Sequence, residues 1–247
     1  MTEPPMPPSI ELAWGLREPG TRGPKRGLTL DGIVQAAIHV AVSEGLDSLS
    51  MGRVARQLGV GTMSLYRYVA SKDELLTLMV DTALGTPQDP PPPDQGWREG
   101  ITESAVWLRD AYRRHPWALK VPITAPPLGP NNVAWLEGAL RSLAVTPLSE
   151  QQKLSTVLLI SGFVRNYATL TADFAAAHYG EPVMPRYGAL LSQLIEPSRF
   201  PALQQAIASG ALDDEDHPDQ EFRFGLQRIL DGVELLIGQT GSAKRRR

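Results

Sequence analysis

The 247-residue chain contains no cysteine. Disulfides, thiolate metal sites and cysteine nucleophiles are excluded, and the composition fits a reducing compartment. Long apolar runs are missing too: the longest, VLLISGFV at 157–164, is far short of a membrane span. The opening MTEPPMPPSI has no basic region followed by an apolar one, so no export signal is visible. These absences lead to the expectation of a cytoplasmic protein with no membrane partner. The histidines, His39, His115, His178 and His217, are scattered and form no two-histidine metal pair on a helix. His178 and Glu181 stand three apart in HYGE, but Gly180 and Pro182 read as a fraying helix end. No G-x-S-x-G elbow, phosphate-cradling loop or dinucleotide fingerprint occurs. No metal, no cofactor and no enzymatic activity are expected. No segment sustains the alternation of a strand, which makes the fold class all-α.

What is present is an uneven charge. The formal net charge is −3, yet positions 17–72 hold eight basic residues against four acidic ones. That segment carries +4 and the remainder −7, even with the KRRR ending at 244–247. A basic end on an acidic body is the footprint of a partner that one end touches.

Residues 1–27 hold six prolines and no periodicity, and read as a flexible arm whose last part, RGPKRG, is basic. A domain is expected over 28–85. Thr29 caps a first helix over 30–44, with Ile33, Ala37, Val40 and Ala41 at helical spacing and Gly45 as the stop. Ser50 caps a short helix with Val54, Ala55 and Leu58 on one face, and Gly59 ends it. Thr62 is placed as the cap of another short helix to Val69. Ser71 and Glu74 form a capping-box pattern that opens a helix to Leu84. The run TPQDPPPPD at 86–94 has five prolines and marks a semi-rigid linker over 86–96. Beyond it, 97–240 reads as a second, larger helical domain, followed by a basic tail at 241–247. Its helices are expected at 97–114, 132–144, 149–179 and 219–239. The third of these is about 45 Å long if continuous.

Two short helices joined at Gly59 are the helix-turn-helix pattern. Leu65 and Val69, one turn apart, would dock the second helix. Thr62, Met63, Ser64, Tyr66, Arg67 and Tyr68 are left facing outward, where a recognition helix meets base edges and phosphates. Lys72, at the positive end of the next helix, adds a second anion-binding element. A surface hairpin with ordinary tyrosines at its rim has the same spacing. The residues from GLTLDGIVQAAIHVAVSEGLDSLSMGRVARQLGVGTMSLYRYVASKDELLTLMVD resemble the DNA-binding domain of the TetR/AcrR family of bacterial regulators. LSMGRVARQLGV, LYRYVASKDELL and SEGLDSLS all fall in register. The later HPW, PPLGPN and long helix resemble the tetracycline-repressor type of C-terminal domain. The resemblance implies a three-helix DNA-binding domain that reads bases with Thr62, Met63, Ser64 and Arg67. It assigns phosphates to Tyr66, Tyr68 and Lys72, and to Ser50, Met51 and Arg53 at the start of the preceding helix. Gly52 stands where some members carry a base-reaching arginine. Lys25 and Arg26 either reach along DNA or belong to a solvated arm.

A ligand-responsive repressor is the function that follows, with a near-palindromic double-stranded operator as partner. Its sensor must lie in 97–240. Trp107, Tyr112, Trp117, Trp135, Phe163, Asn166 and Tyr167 punctuate apolar helices there, as an apolar pocket with a few orienting hydrogen bonds requires. The small-molecule effector expected is apolar or aromatic. Core packing and dimer contacts are the other roles open to these side chains. The apolar stripes of 149–179 and 219–239 suit a four-helix bundle between two copies, and a homodimer would match two half-sites. The competing reading from a different class is an all-helical small-molecule-binding or catalytic protein with a vestigial DNA-binding domain.

Overall fold

The computed structural model describes residues 6–16, 28–87, 96–124, 126–178, 183–213 and 218–245. Among these residues the regular structure is helical throughout: eleven α-helices and two short 3-10 helices. No described helix is long and apolar enough to cross a membrane. The chain divides into two compact units, residues 1–165 and 166–247.

In the first unit, α2 (Leu30–Glu44), α3 (Met51–Leu58) and α5 (Lys72–Leu84) begin where the capping residues dictate. The Thr29 hydroxyl accepts the Gly32 amide at 3.0 Å, Ser50 accepts Arg53 at 3.2 Å, and Ser71 accepts Glu74 at 3.1 Å. Glu74 reaches back one residue further than a capping box requires, accepting the Ala70 amide just ahead of the Ser71 cap. Gly45, with φ at +86°, stops α2 in a conformation closed to most side chains. Between these helices lies a core of Ile33, Ala37, Val40, Val54, Leu65, Val69, Leu75 and Met79, all 3% exposed or less. Each large member contributes roughly 1.5–3 kcal/mol by leaving water.

One expectation is corrected ahead of α2. Pro8–Ala13 form a helix, α1, inside the stretch read as a structureless arm. Pro8 occupies a first-turn position, where a missing N–H costs nothing, and Ser9 and Ile10 are buried. Six residues are too few to display a period. The rest of the arm, 17–27 with Lys25 and Arg26, lies outside the described residues. So does 88–95, most of the expected linker.

The remaining helices of this unit are α6 (Trp97–Arg114), α7 (Pro130–Leu143) and the first part of α8 (Glu150–His178). α5 packs against both α6 and α7, so the helix-turn-helix segment over 51–69, the expected reading head, shares one unit with the first helices of the C-terminal domain. α7 starts two residues earlier than periodicity predicts, and the cause lies on α5. Asp81 is 3% exposed, and its carboxylate accepts the Asn131 amide at 3.3 Å and the Asn132 amide at 2.8 Å. These are among the orphan donors of an α7 N-terminus whose own cap, Gly129, has no side chain to offer. The side-chain amides add bonds of 3.1 Å from Asn131 and 2.6 Å from Asn132. The positive end of the α7 dipole favours the same charge. Trp135 then donates its indole N–H to the Gly85 carbonyl at 2.9 Å, fastening the other end of the contact.

In the second unit, α8 continues to His178 and is followed by α9 (Val183–Leu194), α10 (Pro201–Ala208) and α11 (Pro218–Arg245). α9 and α10 were not anticipated, because their apolar residues are dispersed among prolines and serines. α11 buries Phe222, Leu226, Leu230 and Val233, part of the expected stripe, while Ile229, Leu236 and Ile237 are half-buried. It runs past its expected end at residue 239, through the start of the basic tail.

Gly129 packs against Asp81 so closely that a Cβ there would fall 2.2 Å from the carboxylate oxygen. Gly129→Ala should therefore displace Asp81 from the amides it holds and destabilise the chain by about 2–3 kcal/mol, measured by urea unfolding.

Candidate nucleic-acid interface and ligand cleft

The turn after α3 is a Schellman motif. Gly59 is left-handed at φ +67°, its amide donates to Arg56 and the Val60 amide donates to Ala55. The short helix that follows, α4, spans Thr62–Leu65, with Gly61 rather than Thr62 as its cap. It is shorter than expected. The Tyr68 and Val69 amides both donate to the Leu65 carbonyl, so the last turn tightens instead of continuing. Leu65 and Val69 are fully buried and hold the element down, as their spacing requires.

The face left outside is the predicted one for most of its residues. Met63 is 76% and Tyr66 45% exposed, Arg67 and Lys72 are exposed, and Thr62 and Ser64 are half-buried. Among the described residues neither Arg67 nor Lys72 has an ion-pair partner, so both cations face outward uncompensated.

Three assignments made from the resemblance meet different partners. The Tyr68 hydroxyl donates to the Leu28 carbonyl at 2.6 Å, closing the entrance to α2 rather than pointing outward. Met51 is buried, because a large apolar side chain gains more in the α2–α3 core than on a phosphate. Arg53 is engaged by Glu44, whose carboxylate accepts its Nε at 3.1 and 3.0 Å, and by Gln57 at 3.1 Å. The bond from Arg53 holds the Glu44 carboxyl below its ordinary pKa, and Glu44 raises that of Arg53. Ser50 is exposed but already accepts the Arg53 amide.

A cleft of about 140 Å³ lies on the other side of α5. Thr77, Val80 and Leu84 of α5 form one wall. Tyr112 at the end of α6, the segments 121–124 and 126–127, Asn132 of α7 and Arg165 of α8 form the rest. Arg165 braces the far wall: its Nη2 donates to the Leu119 carbonyl at 3.0 Å and to that of Val121 at 2.9 Å. Its guanidinium carbon stands 5.8 Å from the Tyr112 ring centre, a cation–π contact.

Of the predicted lining residues, Tyr112 is in this cleft. Trp107 and Phe163 are half-buried elsewhere, and Trp135 is committed to Gly85. Trp117 is buried with its indole N–H unpartnered, and its ring meets His115 edge-on at 6.2 Å. Burial, with help from Arg114, lowers the His115 pKa and favours the neutral ring. Asn166 is exposed and Tyr167 stacks edge-on against Phe222 at 5.4 Å; both belong to the second unit. The residues missed include aliphatic ones and prolines, which carry no polar signature, and Thr77, Thr124 and Asn132, polar residues that no spacing singles out. Arg165 had a signature: a lone charge in the apolar run VLLISGFVRN.

Comparison with known proteins gives the family of both parts of the chain. Residues 33–79 match the model of bacterial regulatory proteins of the tetR family, and 89–237 match the tetracyclin repressor-like C-terminal domain. The chain is 37% identical over 241 residues to the HTH-type transcriptional repressor DrrR1 of Streptomyces coeruleorubidus, covering 94% of this chain and 86% of that one. ActR of Streptomyces coelicolor, a TetR family protein solved in complex with actinorhodin, superposes with a TM-score of 0.75 at 30% identity. That match covers 86% of this chain and 99% of ActR. The ActR complex with (S)-DNPA gives a TM-score of 0.72 at 31% identity over 85% of this chain and 99% of that one. The helix-turn-helix head and the helical C-terminal domain thus have counterparts along nearly the whole chain, and the protein belongs to the TetR family of bacterial regulatory proteins.

Proposed function

We propose that Thr62, Met63, Ser64 and Arg67 read the operator, that Tyr66 and Lys72 hold phosphate, and that a planar aromatic effector in the α5–α7 cleft releases the DNA. The observation that carries this reading is the double duty of α5. Its first residue, Lys72, adjoins the reading head, while Thr77, Val80 and Leu84 further along line the cleft. A ligand pressing on that wall acts on the helix that carries the head. Asn132 lines the same cleft and donates to Asp81 on α5, so an effector that competes for its amide also bears on the α5–α7 contact.

The effector class follows from the walls. Tyr112 and the proline pair 126–127 offer flat apolar faces, and Asn132 supplies an orienting hydrogen-bond group. ActR is solved in complex with actinorhodin and with (S)-DNPA, and a small-molecule ligand in the helical domain is what we carry over to this chain; its planar aromatic class rests on the walls of the cleft. The mechanism is a population shift: the effector favours the conformer whose two reading heads are wrongly spaced for the half-sites. Leu158 and Leu159 of α8 and Leu235 of α11 are 73%, 55% and 64% exposed, and supply apolar surface for a second copy to cover. The repressor works in the cytoplasm, and no catalytic step is assigned to it.

Two substitutions separate base reading from phosphate binding. Arg67→Ala should reduce the preference for operator over random duplex by about tenfold or more. Lys72→Ala should weaken both duplexes alike and lower the slope of log affinity against log salt by about one. Fluorescence anisotropy across a salt series measures both effects, and unchanged binding in both variants would overturn the interface.

A further inference from the structure

The α1 helix is absorbed by neither the interface nor the cleft, and it and the adjoining Trp14 contact residues next to both. Its Ser9 is fully buried, and the hydroxyl donates to Glu74 Oε1. The other oxygen of that carboxylate accepts the Ala70 amide, in the turn between the reading head and α5. Glu74 therefore fixes how α5 leaves the reading head, and Ser9 fixes Glu74. Five residues further on, Trp14 donates its indole N–H to the Leu128 carbonyl at 2.8 Å. Leu128 directly follows Pro126 and Pro127, which line the cleft. Ile10, also buried, and the packing of α1 on α2 anchor the helix between these contacts.

Trp14 is 43% exposed, so burial of its ring is not what holds it there. The hydrogen bond to Leu128 supplies a directional tie. α7 begins at Pro130, directly after this segment, so the cleft rim is held from one side by Asp81 at the α7 start and from the other by Trp14.

We infer that α1 and the adjoining Trp14 form a strap linking the cleft rim to the first turn of α5, at the base of the reading head, with Ser9 and Trp14 as positioning residues that transmit between them by a route separate from the α5–α7 contact. The inference rests on the proposed DNA interface and cleft. Displacement of the rim at 121–124 and 126–128 pulls on Trp14, moves α1 as a short rigid unit and alters the support that Ser9 gives Glu74. By reciprocity, DNA that orders the reading head must also be felt at the rim.

The test is hydrogen–deuterium exchange on the full-length protein, with and without a DNA duplex selected by the protein from random sequence. No effector is needed. In the unsubstituted chain the duplex should slow exchange at 59–72 and, through the strap, at 121–129 by about threefold or more. In Trp14→Phe, which keeps the ring and removes the donor, protection at 59–72 should persist while the response at 121–129 falls to less than half. Ser9→Ala should give the same pattern from the other end of the helix. A 121–129 response absent from the unsubstituted chain, or retained in full by both variants, overturns the strap. Absence of protection at 59–72 instead overturns the DNA interface on which the strap rests.

Discussion

The carboxylate of Asp81 is the interaction on which the first unit depends. A buried charge costs several kcal/mol unless its hydrogen-bonding capacity is filled. Here two backbone amides and two side-chain amides of α7 fill it. The satisfaction is mutual: α7 lacks a side-chain cap of its own, and among the described residues the hydrogen bonds to the Asp81 carboxylate all come from Asn131 and Asn132. Neither helix can slide along the other without exposing donors or an acceptor. α5 and the start of α7 therefore move together, and a force on either is delivered to both.

That coupling gives the two faces of α5 their meaning. One end of the helix issues from the reading head, through the Ser71 cap and the Glu74 bond to Ala70. The middle and far end form the wall of a cleft. A repressor needs its ligand to discriminate between conformers, and moving an equilibrium from one dominant state to the other takes about 5 kcal/mol of differential binding. A cleft wall that bends freely would dissipate that energy. A wall pinned by Asp81 and Trp135, opposite a far wall braced by Arg165, instead transmits it.

The legible parts of the molecule were those governed by local chemistry. Thr29, Ser50, Ser71 and Gly59 announced helix ends correctly because a cap acts within three or four residues of its own position. Leu65 and Val69 announced their burial by spacing, and the outward face of Met63, Tyr66 and Arg67 followed from it. What escaped depends on partners far apart in sequence. Tyr68 meets Leu28 forty residues away, and Asp81 meets Asn131 and Asn132 about fifty residues on. Arg53 reaches back nine residues to Glu44, across a turn whose geometry no periodicity encodes. The cleft was legible only through Tyr112, because aliphatic wall residues look like any other core.

The central claim is that ligand and operator compete through α5. The most direct measurement is calorimetric titration of one planar aromatic ligand, chosen because it raises the Tm of the full-length protein. It is titrated first into free protein and then into protein saturated with operator. Coupling through α5 requires binding to the operator complex to be about tenfold weaker or more, with operator affinity reduced by the same factor when ligand is present. Equal affinities in the two titrations would contradict it.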